Sequence, residues 1–234
     1  MGIGYQKYDK RSDLDRFSVT PNSEIAWDIP LQDFQLTLYD RITRSQDVTS
    51  QGGLSGVAEF PRMENTVGFR TIWQPSAFRW EWGYSHYNFI SESASSGAAN
   101  FDYLNRSAEQ AFARLAYQMA EVTHGGIEFS GAVTDYESEQ RQDNKNISLG
   151  PFLEWQIRES IRLSLRGGLV TYFQDASLTV TNGSDFQSYY AGLDLRHALT
   201  RNISHGLAVN REISQGVNHG SGLSESLQVN YSAS

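Results

Sequence analysis

The chain has no cysteine. That excludes a disulfide framework and any thiolate-bound metal. It also lacks any apolar stretch approaching the ~20 residues that a membrane-crossing helix needs, so a helical membrane protein is excluded. Basic residues are the minority, 19 against 27 acidic ones, for a formal net charge of -8. With a pI of about 5.1, a broad nucleic-acid-binding surface is excluded as well. Methionine is scarce, with three residues among 234. The opening residues, Met1-Gly2-Ile3-Gly4-Tyr5, have neither the basic nor the apolar region of a signal peptide. The sequence is therefore expected to be either a mature form carrying a start Met or a fragment of a longer chain.

What is present points to β-structure. Twelve Tyr, twelve Phe and five Trp accompany twenty Gly and five Pro, a composition suited to strands separated by many turns. Mean hydropathy is -0.48, which looks soluble. A transmembrane barrel strand alternates apolar and polar residues, however, and so averages out as polar too.

Period-two alternation recurs along the chain, whereas helical periodicity is hard to find. Ile161, Leu163, Leu165, Leu169 and Phe173 share one face of a segment whose other face carries Arg162, Ser164, Arg166 and Tyr172. Phe34, Leu36, Leu38 and Ile42 oppose Gln35, Thr37, Tyr39 and Arg41. Phe78, Trp80, Trp82 and Tyr84 oppose Arg79, Glu81, Gly83 and Ser85. Strands are expected at 2–9, 22–30, 33–45, 64–75, 78–91, 107–119, 123–136, 147–157, 160–174, 186–198, 201–213 and 222–232. Five junctions read as tight turns, centred on Leu31, Pro75-Ser76, Glu121-Val122, Arg158-Glu159 and Thr200. They alternate with longer polar loops such as Ser45 to Met63 and Glu92 to Ser107. Short turns on one rim and long loops on the other are the layout of outer-membrane barrels. The expected fold is all-β, a transmembrane antiparallel up-and-down β-barrel of about twelve strands, built as a single domain over 1–234 with both termini on the short-turn rim. A soluble sandwich or lipocalin-like barrel would alternate too, with its apolar face turned inward.

Two features separate these readings. Trp27, Phe34, Trp73, Phe78, Trp80, Tyr117 and Trp155 fall on the apolar face near the tight turns, as an aromatic girdle at a membrane interface would. The other face carries Arg41, Arg70, Arg79, Glu81, Arg114, Glu154, Arg162, Arg166, Asp194 and Arg196. Charges facing hydrocarbon would each cost up to several kcal/mol near the midplane, so these are expected to line a wet lumen. A two-residue turn at Pro75-Ser76 would set Arg70 opposite Glu81. A three-residue turn at Arg158 to Ser160 would set Glu154 opposite Ser164, diagonal to Arg162 and Arg166, within cross-strand reach.

The segment Asp40-Arg41-Ile42-Thr43-Arg44-Ser45-Gln46-Asp47, the Gly-rich loop after it and the repeated strand-turn-strand rhythm resemble bacterial outer-membrane proteins of the β-barrel porin 2 type. The resemblance implies an outer-membrane barrel that passes small solutes, and it brings no catalytic residues. Such barrels often end on an aromatic residue, whereas Tyr231 here is followed by Ser232-Ala233-Ser234.

No phosphate-binding loop, dinucleotide fingerprint or HExxH motif occurs. His86 and Asn88 share the apolar face of one strand, but Ser85 points the other way and supplies no nucleophile beside them. His197 and His205 flank one tight turn and would make at most a weak metal site. Neither Asp47-Val48-Thr49 nor Asp135 sits in a calcium loop of recognised spacing. The expectation is a non-enzymatic, porin-like channel of the bacterial outer membrane with no cofactor and no metal. Its partners would be outer-membrane lipid and small polar solutes, not nucleic acid. The alternative is a closed structural or docking barrel.

Overall fold

The computed structural model describes residues 3–6, 16–45, 54–55, 62–91, 102–139, 141–174, 185–200, 203–216 and 223–233. In chain order the strands are β1 (Ile3–Gln6), β2 (Arg16–Leu31), β3 (Phe34–Ser45), β4 (Leu54–Ser55), β5 (Arg62–Trp73), β6 (Phe78–Ser91), β7 (Arg106–Ala120), β8 (Thr123–Tyr136), β9 (Asn144–Arg158), β10 (Ile161–Gln174), β11 (Phe186–Thr200), β12 (Ile203–Gly216) and β13 (Leu223–Ala233). Apart from one 3-10 turn at Asp102–Leu104, no helix occurs among the described residues. Eleven of the strands are long, from 11 to 16 residues. A tilted membrane strand needs about 9–11.

Neighbours in sequence are neighbours in the sheet, and every step from β1 through β13 is antiparallel, with β4 lying off the path. This is the up-and-down order that tight turns enforce, since a turn of a few residues can only return the chain beside itself. The short connections fall at the expected places. Gln32 closes the β2–β3 turn at φ 50° and Ser76 sits in the β5–β6 turn at φ 62°. Positive φ matches the right-handed twist of the flanking strands. The fifth turn runs into residues 201–202, which lie outside the described residues.

Two expectations need correction. The first strand does not reach the short-turn rim. Gln6 pairs with Arg16 and Ile3 with Val19, which places β1 against the loop-side end of β2. Moreover, no pairing joins β1 to β13 among the described residues, which form an antiparallel sheet of eleven long strands where a ring of twelve was expected. The sheet is nonetheless curled. Residues 54–55, which follow β3, pair in parallel with Gln215 and Gly216 at the loop-side end of β12.

The polarity of the sheet is inverted relative to a water-soluble protein. Large apolar side chains stand exposed, Leu169 at 72% and Trp27 at 68%, while Thr37, Ser85, Arg62, Glu64 and Asn144 are buried. A soluble sandwich would bury the first set and expose the second.

Candidate functional site

The charged residues of the polar face meet one another across strands. Glu24 and Arg41 are direct cross-strand partners, and Arg41 Nη2 lies 2.5 Å from Glu24 Oε2. Along β6, Arg79 pairs with Glu81 at 3.2 Å, and in β11 Arg196 pairs with Asp194 at 3.0 Å. These are neighbours two residues apart, which a strand places on one face.

Two arginines reach farther. Arg114 on β7 extends over β8 to Glu154 on β9, at 2.8 Å, with Glu128 at 3.8 Å on the way. Its guanidinium lies 3.6 Å from the centroid of the Phe152 ring. Arg166 on β10 extends over β11 to Glu212 on β12, at 3.3 Å. Gly192 is what lets it pass, since a Cβ there would stand 2.7 Å from Arg166 Nε. Spanning an intervening strand means crossing about 9–10 Å. A side chain manages this only where the sheet curves toward it, so the polar face is the concave one. Two cavities lie along it. One of about 500 Å³ includes Arg162, Asp194 and Arg196, and one of about 370 Å³ includes Arg114, Arg166 and Glu212.

Two of the expected pairings are corrected. Arg70 lies opposite Thr37 and Gly83, not Glu81. The β5–β6 connection is four residues, Gln74 to Ala77, because Trp73 pairs with Trp80, and this moves the register by two. Glu154 does lie opposite Ser164, yet its carboxylate is taken by Arg114 rather than Arg162. Arg162 faces Gln156 on one side and Arg196 on the other, with no ion-pair partner among the described residues.

Trp27, Trp73, Phe78, Trp80, Tyr117 and Trp155 are all exposed on the apolar face, and Phe34 is half-buried beside Trp82. The Phe78 and Tyr117 rings sit 5.0 Å apart. His197 and His205 are direct cross-strand partners, but His205 Nδ1 is engaged by the Tyr231 hydroxyl. No group of three metal-ligating side chains occurs among the described residues.

Three clusters were not foreseen. At the loop rim, Arg62 pairs with Glu64 at 2.8 Å with both side chains buried. There Arg106 stands 4.7 Å from the ring centroid of Phe89, which is itself fully buried, as is Leu104. Arg141, in the connection between β8 and β9, packs on Tyr103 and Tyr136. Burial pulls its guanidinium below the usual arginine range, and repulsion from Arg106 adds to this. Secondly, the β11–β12 ladder stops at Ala191 and Arg211. There Arg211 stacks 3.6 Å from the Tyr189 ring centroid and pairs with Glu225 at 2.6 Å. Thirdly, His86, Tyr84 and Glu109 join on the apolar face. Apart from Arg62 and Glu64, two residues apart on one strand, the contacts that assemble each cluster join residues far apart in sequence, so no local spacing announces the whole.

The chain is thus an all-β, antiparallel up-and-down protein with an apolar convex face and a charged concave one. No family model matches it, and neither does any curated protein. Among solved structures it is similar to LpxR from Salmonella typhimurium, at 8% identity over 89% of this chain and 86% of that chain, with a TM-score of 0.41. It is also similar to the ferric yersiniabactin uptake receptor FyuA from Yersinia pestis, at 11% identity over 94% of this chain and 49% of that chain, with a TM-score of 0.31. The expectation that the chain is non-enzymatic is withdrawn.

Proposed function

We propose that residues 1–234 form a single outer-membrane β-barrel domain whose concave face lines a lumen that passes small polar solutes. The inverted polarity carries this reading. A wall with exposed Trp27, Leu169 and Leu227 outside and buried Arg62, Glu64 and Asn144 inside is stable where lipid bathes the first set and water reaches the second. An open sheet edge has no water to satisfy it in hydrocarbon, which supports closure of the ring. The resemblance to the β-barrel porin 2 type agrees with this reading.

On this reading, Arg41, Arg70, Arg79, Glu81, Arg114, Glu154, Arg162, Arg166, Asp194 and Arg196 border the solute path. Trp27, Phe34, Trp73, Phe78, Trp80, Tyr117 and Trp155 form the girdle at the short-turn interface, which in this class is the periplasmic one. Outer-membrane lipid is then the solvent of the convex face. Solutes cross by diffusion past paired charges. The test is conductance after reconstitution into a planar bilayer, and a folded protein without conductance refutes the channel.

A second reading, a closed structural or docking barrel, is favoured by the loop-rim cluster. Arg62, Glu64, Phe89, Leu104 and Arg106 pack tightly there, and side chains of this size can fill a narrow barrel. Absence of conductance in heat-modifiable, folded protein would establish it.

A further inference from the structure

The wall comes apart between β11 and β12 on the loop side. Their ladder ends at the rung formed by Ala191 and Arg211, and among the described residues no rung joins 186–190 to 212–216. Neither strand has frayed. β11 stays paired to β10 as far as Phe186, and β12 stays paired to β13 as far as Gln215. Two intact hairpins therefore part from each other. With β13 on one edge of Gln215, residues 54–55 take the other, which is the edge that would face β11.

The parted ends overlap. Ser188 on β11 and Glu225 on β13 have β12 between them, yet Ser188 Oγ donates to Glu225 Oε1 at 2.9 Å. Alternation sets Glu225 on the convex face with the exposed Leu227 and Val229. The end of β11 thus leans over the outside of β12. Ile213 shows the result, since alternation sets it on the convex face and it is buried. Side chains replace the missing rungs. Arg211 donates to the Tyr189 carbonyl oxygen, stacks 3.6 Å from the Tyr189 ring centroid and pairs with Glu225 at 2.6 Å. The Tyr172 hydroxyl donates to the Ile213 carbonyl oxygen at 3.4 Å. Behind these contacts lies the cavity of about 370 Å³, whose lining includes Tyr172, Tyr190, Arg211, Glu212 and Ile213.

Height explains why the wall can part here. Ala191 lies nine positions from Thr200, which ends β11 at the short-turn rim. At about 3.3 Å per residue and a tilt near 40°, this is roughly 23 Å, close to the far boundary of an apolar belt of about 25 Å. Below that height an unpaired backbone edge would meet hydrocarbon, which cannot satisfy it. Above it, headgroups and water satisfy the freed groups. We propose that the β11–β12 seam is a side opening of the lumen. The loop-side end of the β10–β11 hairpin is its flap, and Arg211 is the latch. With the flap raised, the cavity communicates sideways with the headgroup layer on the loop side of the membrane.

This opening rests on the membrane reading, and the experiment tells the two apart. The full chain is refolded into phosphatidylcholine vesicles, and backbone amide exchange is followed by mass spectrometry. Residues 186–190 and 212–214 should exchange faster than 193–198 and 204–209 on the same strands. Arg211→Gln removes a charge-assisted pair, so it should speed the first set about tenfold and leave the second unchanged. Tyr172→Phe removes one hydroxyl and should act in the same direction, but less. Passage is read from a fluorophore on Ser148→Cys, a residue of the cavity lining. Phosphatidylcholine bearing a nitroxide on its headgroup should quench it severalfold more in the Arg211→Gln background than with Arg211 in place. The same fluorophore on Ser164→Cys, outside that lining, should be quenched equally in both. Equal exchange in the two sets, or a gain in quenching at both labels, overturns the seam. Faster exchange with no gain in quenching at Ser148→Cys overturns the passage. Heat-modifiable gel mobility of the same samples reports the membrane reading. Where it is present, a negative result removes the side opening alone, and its absence removes the reading beneath it.

Discussion

Arg114 and Glu154 meet at 2.8 Å although they belong to strands separated by β8. The contact is held from three sides, by Glu154, by Glu128 at 3.8 Å and by the face of Phe152. Replacing Arg114 by Gln leaves two carboxylates facing each other and removes the stacking. The loss should be about 1–2 kcal/mol, moderated by the partial exposure of all three groups. Glu154→Gln should cost less, because Arg114 keeps Glu128 and Phe152. Urea midpoints of the folded protein in detergent check the order, and equal costs would refute this account of the contact.

The inverted polarity makes tolerance to charge alternate along a strand. Leu149 and Leu165 stand exposed on the convex face, whereas their neighbours Ser148 and Ser164 lie on the concave one. Arginine at either leucine should cost on the order of 2–4 kcal/mol in a bilayer, and far less at either serine. The comparison is made on protein refolded into vesicles. Equal sensitivity on both faces would return the chain to the soluble class.

Much of this was legible from the residues. Alternation placed Ile161 to Phe173 and Phe78 to Tyr84 in strands with the correct faces, because side chains alternate across a strand whatever its surroundings. Tight turns fixed the up-and-down order for the same local reason. Register was legible only where turn length was. The Arg158 to Ser160 turn set Glu154 opposite Ser164 correctly, whereas a four-residue turn in place of Pro75-Ser76 moved Arg70 away from Glu81. Partner choice was not legible at all. Glu154 lies diagonal to Arg162, yet the curl of the sheet brings Arg114 to it from two strands away. Curvature is a property of the whole sheet and leaves no mark in local spacing. The same holds for His86 and Glu109, whose alliance depends on the β6–β7 register.

The β9–β10 ladder closes most tightly at Gly150 and Gly168. A Cβ on Gly168 would stand 2.3 Å from the Leu149 carbonyl oxygen and 2.6 Å from Gly150 Cα. Both are backbone atoms, which cannot rotate aside. Gly168→Ala should therefore cost roughly 1–3 kcal/mol, as overpacking does. Gly167→Ala is the control, since its nearest atom is 3.4 Å away. The temperature at which the folded gel band is lost should fall for the first variant and hold for the second. A matched fall would refute the steric argument.

Orientation follows from the two rims. Glu139 is exposed in the connection between β8 and β9, and Glu121 is exposed in the short turn between β7 and β8. The chain has no native cysteine, so one introduced thiol reports its own position. A membrane-impermeant thiol reagent on intact cells should label Glu139→Cys and leave Glu121→Cys untouched. The reverse pattern would invert the topology, and would move the aromatic girdle to the outer interface.

The charges of the concave face divide into paired and unpaired, and that division predicts selectivity. Arg162 faces Arg196 across β10 and β11, and Arg196 is already held by Asp194 at 3.0 Å. Arg162, with no ion-pair partner among the described residues, thus lines a cavity of about 500 Å³ with its charge unpaired. Glu154, by contrast, is half of an ion pair, and removing it would leave Arg114 with only the more distant Glu128. Charge effects inside a narrow, partly desolvated passage exceed those in bulk water. Arg162→Gln should therefore shift the reversal potential of a reconstituted channel toward cation selectivity in a salt gradient, and Glu154→Gln should shift it toward anions. The Arg162 shift should be the larger, because Arg162 has no ion-pair partner among the described residues, whereas Glu154 is paired with Arg114. Arg196→Gln should move the potential least, since it frees Asp194 beside the still-present Arg162. If Arg196→Gln moves it most, ions pass by the β11 side of this cavity, and the path assigned to Arg162 is wrong.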